Sequence, residues 1–396
     1  MDCCTIKYLS PKIVGGEVDW TGEFTRPGGG PASIYFRFTC PDPQAFVPRV
    51  RPFLLAFLVP AMRAGHPIQL EQPIDQTTLH NLMEWQAAMA CWLPEKLKVV
   101  PILGPIEPEP PRVAVSKGRA LTAFSGGVDS CFTAYRHTIA PATALYRRTQ
   151  LGAGLMVHGF DIPETEVEAF NSAFSRSEQI LHSLGLRVYR LRTNLRTLTT
   201  TLGCDWEYET HGIWLAATLA CLEPWFERVL IPSSYPYNVL RLPWGSNPVT
   251  DGLFASEATS VWHDGAGCYK LAKVQAMAQH AGIRQGLRVC WEGTQLDRNC
   301  GCCFKCVATQ VCYQLSGVLH PECFPSACRL EDVARTSLRT ASNRALFRLL
   351  HTEARRQGAN DLVRALGKAL RSHSRQKLRR KFRLLCQRPQ EFFDQL

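Results

Sequence analysis

Six consecutive residues, Ser125-Gly126-Gly127-Val128-Asp129-Ser130, hold the side chains that a phosphate-binding turn requires. They follow a short apolar run, Ala120 to Phe124, that reads as a strand, and a helix is expected from about Asp129. The unpaired N–H groups of such a helix start point at whatever fills the loop. Gly126 and Gly127 let the main chain approach an oxyanion without a Cβ in the way. Ser125 and Ser130 add hydroxyl donors, and Asp129 can hold the Mg²⁺ that offsets a triphosphate. No lysine follows the second glycine, so the loop is not of the Gly-x-x-x-x-Gly-Lys type. A second cluster, Cys300-Gly301-Cys302-Cys303-Phe304-Lys305-Cys306, offers two registers of C-x₂-C, with Cys290 upstream. Zinc takes four soft ligands in a tetrahedron. Cys290, Cys300, Cys303 and Cys306 supply them and leave Cys302 spare.

The glycine loop resembles the PP-loop of the ATP pyrophosphatase superfamily. That resemblance implies cleavage of ATP between its α and β phosphates, adenylation of a substrate oxygen, and displacement of AMP by a nucleophile. It sets ATP contacts at Ser125–Ser130, at His158 and Asp161 after the second strand, and at Ser233 and Ser234 after the fourth. The cysteine pattern downstream is similar to that of the 7-cyano-7-deazaguanine synthase family, which converts a carboxylate to an amide and then a nitrile and carries a structural zinc. Lys273 falls where that family has a lysine on the helix before the first zinc ligand. The resemblance covers roughly residues 118–310 and implies ATP, Mg²⁺ and Zn²⁺ as cofactors and a homodimer. The N-terminal region, the basic C-terminal region and the stretch from Leu202 to Asp264, which includes Pro243 to Asp251, depart from it.

Catalysis by adenylation asks mainly for positioning and charge neutralisation. Asp129, Ser130, Lys273 and Arg241 are the candidates. The nucleophile divides the readings. Nitrogen needs no further cysteine. Sulfur needs a carrier thiol, for which Cys131, Cys204 and Cys302 are candidates, and a cysteine desulfurase or similar donor, acting on a nucleobase such as guanine or on transfer RNA. A third reading makes the core a conjugating or binding module for a protein or nucleic acid. Among the aromatic residues, Trp206 and Trp244 are expected to line a pocket for a purine-like substrate.

These groups need a scaffold. From residue 118 on, strands and helices alternate: Gly152–Phe160, Arg187–Leu191 and Arg228–Ile231 as strands, and Glu164–Leu184 and His211–Phe226 as helices. Such alternation predicts an α/β fold with a doubly wound parallel sheet, of the adenine nucleotide alpha-hydrolase-like type. Before it, residues 1–103 read as a small α+β domain, with a strand at Ser33–Phe38 and helices at Phe53–Ala64 and Leu79–Trp92. A proline-rich linker is expected at 104–117, the core and zinc site at 118–328, and a helical region at 329–396. The net charge is +11, and seven of the thirteen residues from Arg371 to Arg383 are Lys or Arg. That stretch suits RNA or a solvated helix face. No apolar run approaches the ~20 residues of a membrane span. The seventeen cysteines and the N-terminus lack the marks of a secreted disulfide scaffold, so a cytoplasmic protein without membrane contact is expected.

Overall fold

The computed structural model describes residues 2–107, 120–140, 147–290 and 292–372. They divide into two compact units, residues 1–269 with 286–288, and residues 270–285 with 289–396.

The first unit begins with β1 (Cys4–Tyr8), β2 (Lys12–Val14), β3 (Glu17–Thr25) and β4 (Ala32–Phe38), followed by α1 (Arg51–Ala64), β5 (Ile68–Leu70), α2 (Gln76–Trp92) and β6 (Ile102–Leu103). Alternation along β3 and β4 buries Val18, Trp20, Phe24, Ile34, Phe36 and Phe38 on one face. α1 is apolar around nearly its whole circumference and is buried from Arg51 to Met62, as such a helix must be. Asp75 caps α2, its carboxylate accepting from the Thr78 N–H at 2.8 Å.

Then come β7 (Ala120–Ala123), α3 (Val128–His137), β8 (Leu151–His158), α4 (Val167–Ser183), β9 (Arg187–Thr193), α5 (Leu198–Leu202), α6 (His211–Ala220), β10 (Arg228–Pro232) and β11 (Ser260–Asp264). The strands from β7 to β11 are all parallel, in the order β11-β10-β7-β8-β9. This arrangement is compatible with a Rossmann-like fold. α4 starts at Val167 rather than at Glu164, so Pro163 precedes the helix. α6 stops at Ala220 instead of reaching Phe226, because Pro224 cannot continue it and a separate turn forms at Glu223–Trp225.

Residues 1–103, expected as a separate domain, share this sheet. β4 pairs antiparallel with β9, setting Phe36 opposite Thr193 and Phe38 opposite Leu191. The sheet continues β4-β3-β1-β5-β6, and β2 adds to β3. Without β4, β9 would be an edge presenting unpaired backbone groups. The core is also continuous, since α1 packs on α6 and the Trp214 indole N–H donates to the Ala56 carbonyl at 2.8 Å. Of the expected linker, residues 108–117 lie outside the described residues; Ile106 before them bridges to Ile74.

A buried ion pair locks α1 to the sheet end. Arg51 donates to Glu223 at 3.0 Å and to the Phe254 carbonyl, and both side chains are only 4% exposed. Replacing Arg51 with Met strands a buried carboxylate. The expected cost is about 3–5 kcal/mol, read as a lower urea midpoint with an unchanged slope.

The second unit holds α7 (Lys270–Met277), α8 (Ala281–Gly286), α9 (Phe304–Gln314), α10 (Leu330–Arg335), α11 (Ala341–Arg356) and a helix over 360–372. Phe304 stacks on Phe347 at 5.7 Å, joining α9 to α11. All but the first two residues of the basic stretch Arg371–Arg383 lie outside the described residues. Among the described residues no helix is long and apolar enough to cross a membrane.

Candidate functional site

The loop Ser125–Ser130 sits where the chain reverses its direction of strand addition. From β7 it builds outward through β8 and β9, then returns to place β10 on the other side of β7. Neighbouring residues of β11 identify the two faces of the sheet. His263 meets Asp251 in the turn Asp251–Phe254, whereas Asp264 meets Thr133 and His137 of α3. In open α/β sheets ligands bind at the carboxyl strand ends beside such a reversal.

The loop holds its own shape. Gly126 adopts φ +73°, in the left-handed region, and Gly127 caps α3. The Ser125 N–H donates to Ser130 Oγ at 3.3 Å, the Ser130 hydroxyl donates to the Gly127 carbonyl at 3.2 Å, and the Gly127 N–H donates to Ser125 Oγ at 3.4 Å. The Arg288 N–H donates to the Gly126 carbonyl at 2.8 Å. Ser125 is exposed, Asp129 half-buried in the first turn, and Ser130 buried. The result is a rigid hydroxyl-lined turn at a helix N-terminus, a site suited to an anion.

Connections beyond the other strands bring a band of aromatic rings to the same strand ends. Trp206 and Tyr208 lie on a single π-helical turn, Trp206–Thr210, after β9. Trp206 meets Phe160 at 5.0 Å, and Arg196 lies over its ring at 4.3 Å. Trp244 is surrounded by Tyr208 (5.9 Å), His211 (5.4 Å) and Tyr235 (5.3 Å), with Arg241 stacked over it at 5.2 Å. The unmatched segment Pro243 to Asp251 is held by Asp251, fully buried, which accepts from Ser246 Oγ at 2.7 Å and the Asn247 N–H at 3.0 Å and faces His263 Nδ1 at 2.7 Å. It docks on the start of α6 at Gly212, where a Cβ would lie 1.9 Å from the Gly245 carbonyl oxygen. On the opposite face Asp264 ties α3 to β11. Burial pushes its carboxyl up, but His137, Arg136 and Thr133 more than reverse this and leave it below the usual carboxylate range.

In the second unit, Cys290, Cys300, Cys303 and Cys306 bring their sulfurs within 4.8 Å of one another. Cys300–Cys306 and Cys303–Cys290 are each 3.8 Å apart. A zinc ion with bonds of about 2.3 Å needs tetrahedral edges of about 3.8 Å, so the set fits a metal such as zinc. Cys303 caps α9, accepting from the Cys306 N–H at 3.5 Å, and hydrogen bonding from Cys306 brings its thiol down to about 5. Asn299 fixes the approach: its Oδ1 accepts from the Val289 and Cys290 N–H groups, and its Nδ2 donates to the Cys323 carbonyl. Cys302 is exposed and outside the set of four.

The remaining expected residues are distributed differently. The His158 ring nitrogen Nε2 is engaged by the Pro163 carbonyl at 2.9 Å, and the ring stacks on Phe170 at 4.2 Å. Asp161 is half-exposed, 3.8 Å from Arg288. Ser233 is buried, donating to the Tyr235 carbonyl at 2.7 Å, and Ser234 is exposed. Cys131 is fully buried. Cys204 is 8% exposed, and burial pushes its thiol up to about 12, so it is not a ready thiolate. Lys273 is buried in α7 of the second unit. Arg288, Asp251 and His263 carry no local sequence signal and were not anticipated. The fold and sites define an α/β protein with a helix-capped glycine loop and a four-cysteine cluster. No protein-family profile matches the chain, and no curated protein or solved structure is significantly similar to it.

Proposed function

We propose that this chain is an ATP-dependent adenylating enzyme of the PP-loop type, in which a nitrogen nucleophile replaces a substrate oxygen. The observation that carries the reading is the Ser125–Ser130 turn at the start of α3, beside the strand reversal between β7 and β10. ATP, when bound, supplies an α phosphorus that the substrate oxygen attacks as pyrophosphate leaves. The Gly127 cap and the first turn of α3 aim N–H groups at that pyrophosphate, while the internal bonds of Ser125 and Ser130 keep the turn from rearranging. Asp129, in the first turn of α3, would share Mg²⁺ with it. Trp244 and Trp206, with their stacked arginines, form flat walls for a purine-like substrate.

The nitrogen reading is preferred over sulfur because Cys131 and Cys204 are buried, the latter with its thiol pushed up to about 12. The exposed Cys302 belongs to the second unit, whereas the glycine loop belongs to the first. The four-cysteine site suits a holding role, since a zinc ion there would take all four thiols as ligands. Incubation with ATP, Mg²⁺, ammonium and a panel of carboxylated purine analogues, followed by mass spectrometry, tests the reading. AMP, pyrophosphate and a product in which nitrogen has replaced oxygen are expected. Release of ADP and phosphate, or no turnover with any acceptor, overturns it.

A further inference from the structure

Three arginines converge on one sheet face at the seam where β4 meets β9. The antiparallel register puts Arg37 directly opposite Arg192. Arg190, two residues earlier on β9, points to the same face. Like charges opposed across a strand pair destabilise it, so each needs an anion nearby. Asp19 serves Arg37 and Glu17 serves Arg190, the latter at 3.0 Å. Both arginines are about half exposed, at 47% and 48%, and such pairs exchange readily.

Arg192 differs. Among the described residues it has no carboxylate partner. Its Nη2 donates to the Glu164 backbone carbonyl at 3.1 Å, and its Nε is buried with no hydrogen-bond acceptor. A buried guanidinium donor left without an acceptor is costly.

The same side chains line a cavity of about 230 Å³. Arg37, Arg190 and Arg192, with Glu17 and His158, form its polar wall, while Val167 and Phe170 of α4 form an apolar one. Asn171 adds an amide. An apolar cavity of about 150 Å³ admits benzene, so this space takes a six-membered ring together with an acid group. We propose that this cavity binds a small organic acid, with its carboxylate on Arg192 and its apolar body against Phe170 and Val167. A planar carboxylate matches the guanidinium fork, and the apolar wall gives a reason for a body beyond the charge. Of the residues expected at ATP, His158 lines this cavity and the glycine loop does not, so the inference does not depend on phosphate binding at that loop.

The test uses the full chain and four probes: benzoate, cyclohexanecarboxylate, benzamide and inorganic phosphate. Ligand-observed NMR titration should find at least one of the two carboxylates binding with a Kd of about 1 mM or tighter. Benzamide, which keeps the shape but not the charge, should bind at least about tenfold more weakly. Arg192→Gln should lose about tenfold or more, and Arg192→Lys, which keeps the charge but not the fork, should fall between. If Arg192→Gln fails to fold, the Lys variant and the benzamide comparison decide. Equal binding of benzamide, unchanged affinity in the folded Arg192 variants, or no carboxylate binding would each overturn the proposal. Phosphate binding as tight as the carboxylates would do so as well, since the apolar wall would then have no part.

Discussion

Cys303→Ser is expected to strip the metal from the second unit and loosen it, while Cys302→Ser leaves both intact. The C-x₂-C spacing permits two registers, Cys300 with Cys303 and Cys303 with Cys306, and either uses Cys303. The geometry resolves the choice by using both, with Cys290 as the fourth corner. Structural zinc contributes apparent binding free energies of about 10–16 kcal/mol in small domains, so one missing ligand removes a large part of what orders the segment from Val289 to Cys306. The effect should spread through α9, whose N-terminus Cys303 caps, to α11 by way of the Phe304–Phe347 stack. Zinc content per chain should be near one in the wild type and in Cys302→Ser, and well below that in Cys303→Ser and Cys306→Ser. Limited proteolysis should cut the latter two within the second unit. Metal lost from Cys302→Ser but kept in Cys303→Ser would sink the assignment.

The parallel half of the sheet was legible because its signals are local. β7, β8 and β10 are short, mostly apolar runs and β9 alternates apolar with polar residues, and helices with an amphipathic or apolar face lie between them. The four-cysteine set was legible for the same reason, since ten residues separate Cys290 from Cys300 and the rest follow within six. The seam between β4 and β9 was not. It pairs Phe36 with Thr193, more than 150 positions away, and both strands look identical whether they are paired or at an edge. The proline-rich segment therefore read as a domain boundary, although the sheet and core continue on both sides of it. At the candidate site, Trp206 and Trp244 stood out by their neighbours in sequence. The rings that enclose Trp244 come from two other stretches, that of Tyr208 with His211 and that of Tyr235, and only folding assembles them. Asp251 and His263 are likewise ordinary residues in sequence whose pairing depends on the approach of β11 to the turn at Asp251–Phe254.

Gly126→Ala should lower ATP-dependent pyrophosphate release by about a hundredfold or more, the scale of a misplacement of about 1 Å at a positioned site. Two separate penalties act there. The φ of +73° costs an L-residue roughly 1–2 kcal/mol, and the new Cβ would lie 3.1 Å from Ser177 Oγ on α4. The loop can relieve them only by turning the Gly126–Gly127 peptide, which would break the Arg288 N–H bond to the Gly126 carbonyl and re-aim the N–H groups at the start of α3. Adding Ser177→Ala removes the crowding and leaves the dihedral cost, so the double variant should recover only a small part of the loss. Asp129→Asn probes charge instead of shape. The amide has the shape of the carboxylate, so in a folded variant turnover should fall mainly through a rise in the Mg²⁺ concentration needed for half-maximal rate. Pyrophosphate release at wild-type levels in a folded Gly126→Ala chain would separate the loop from the chemistry and leave the anion-binding turn without its proposed role.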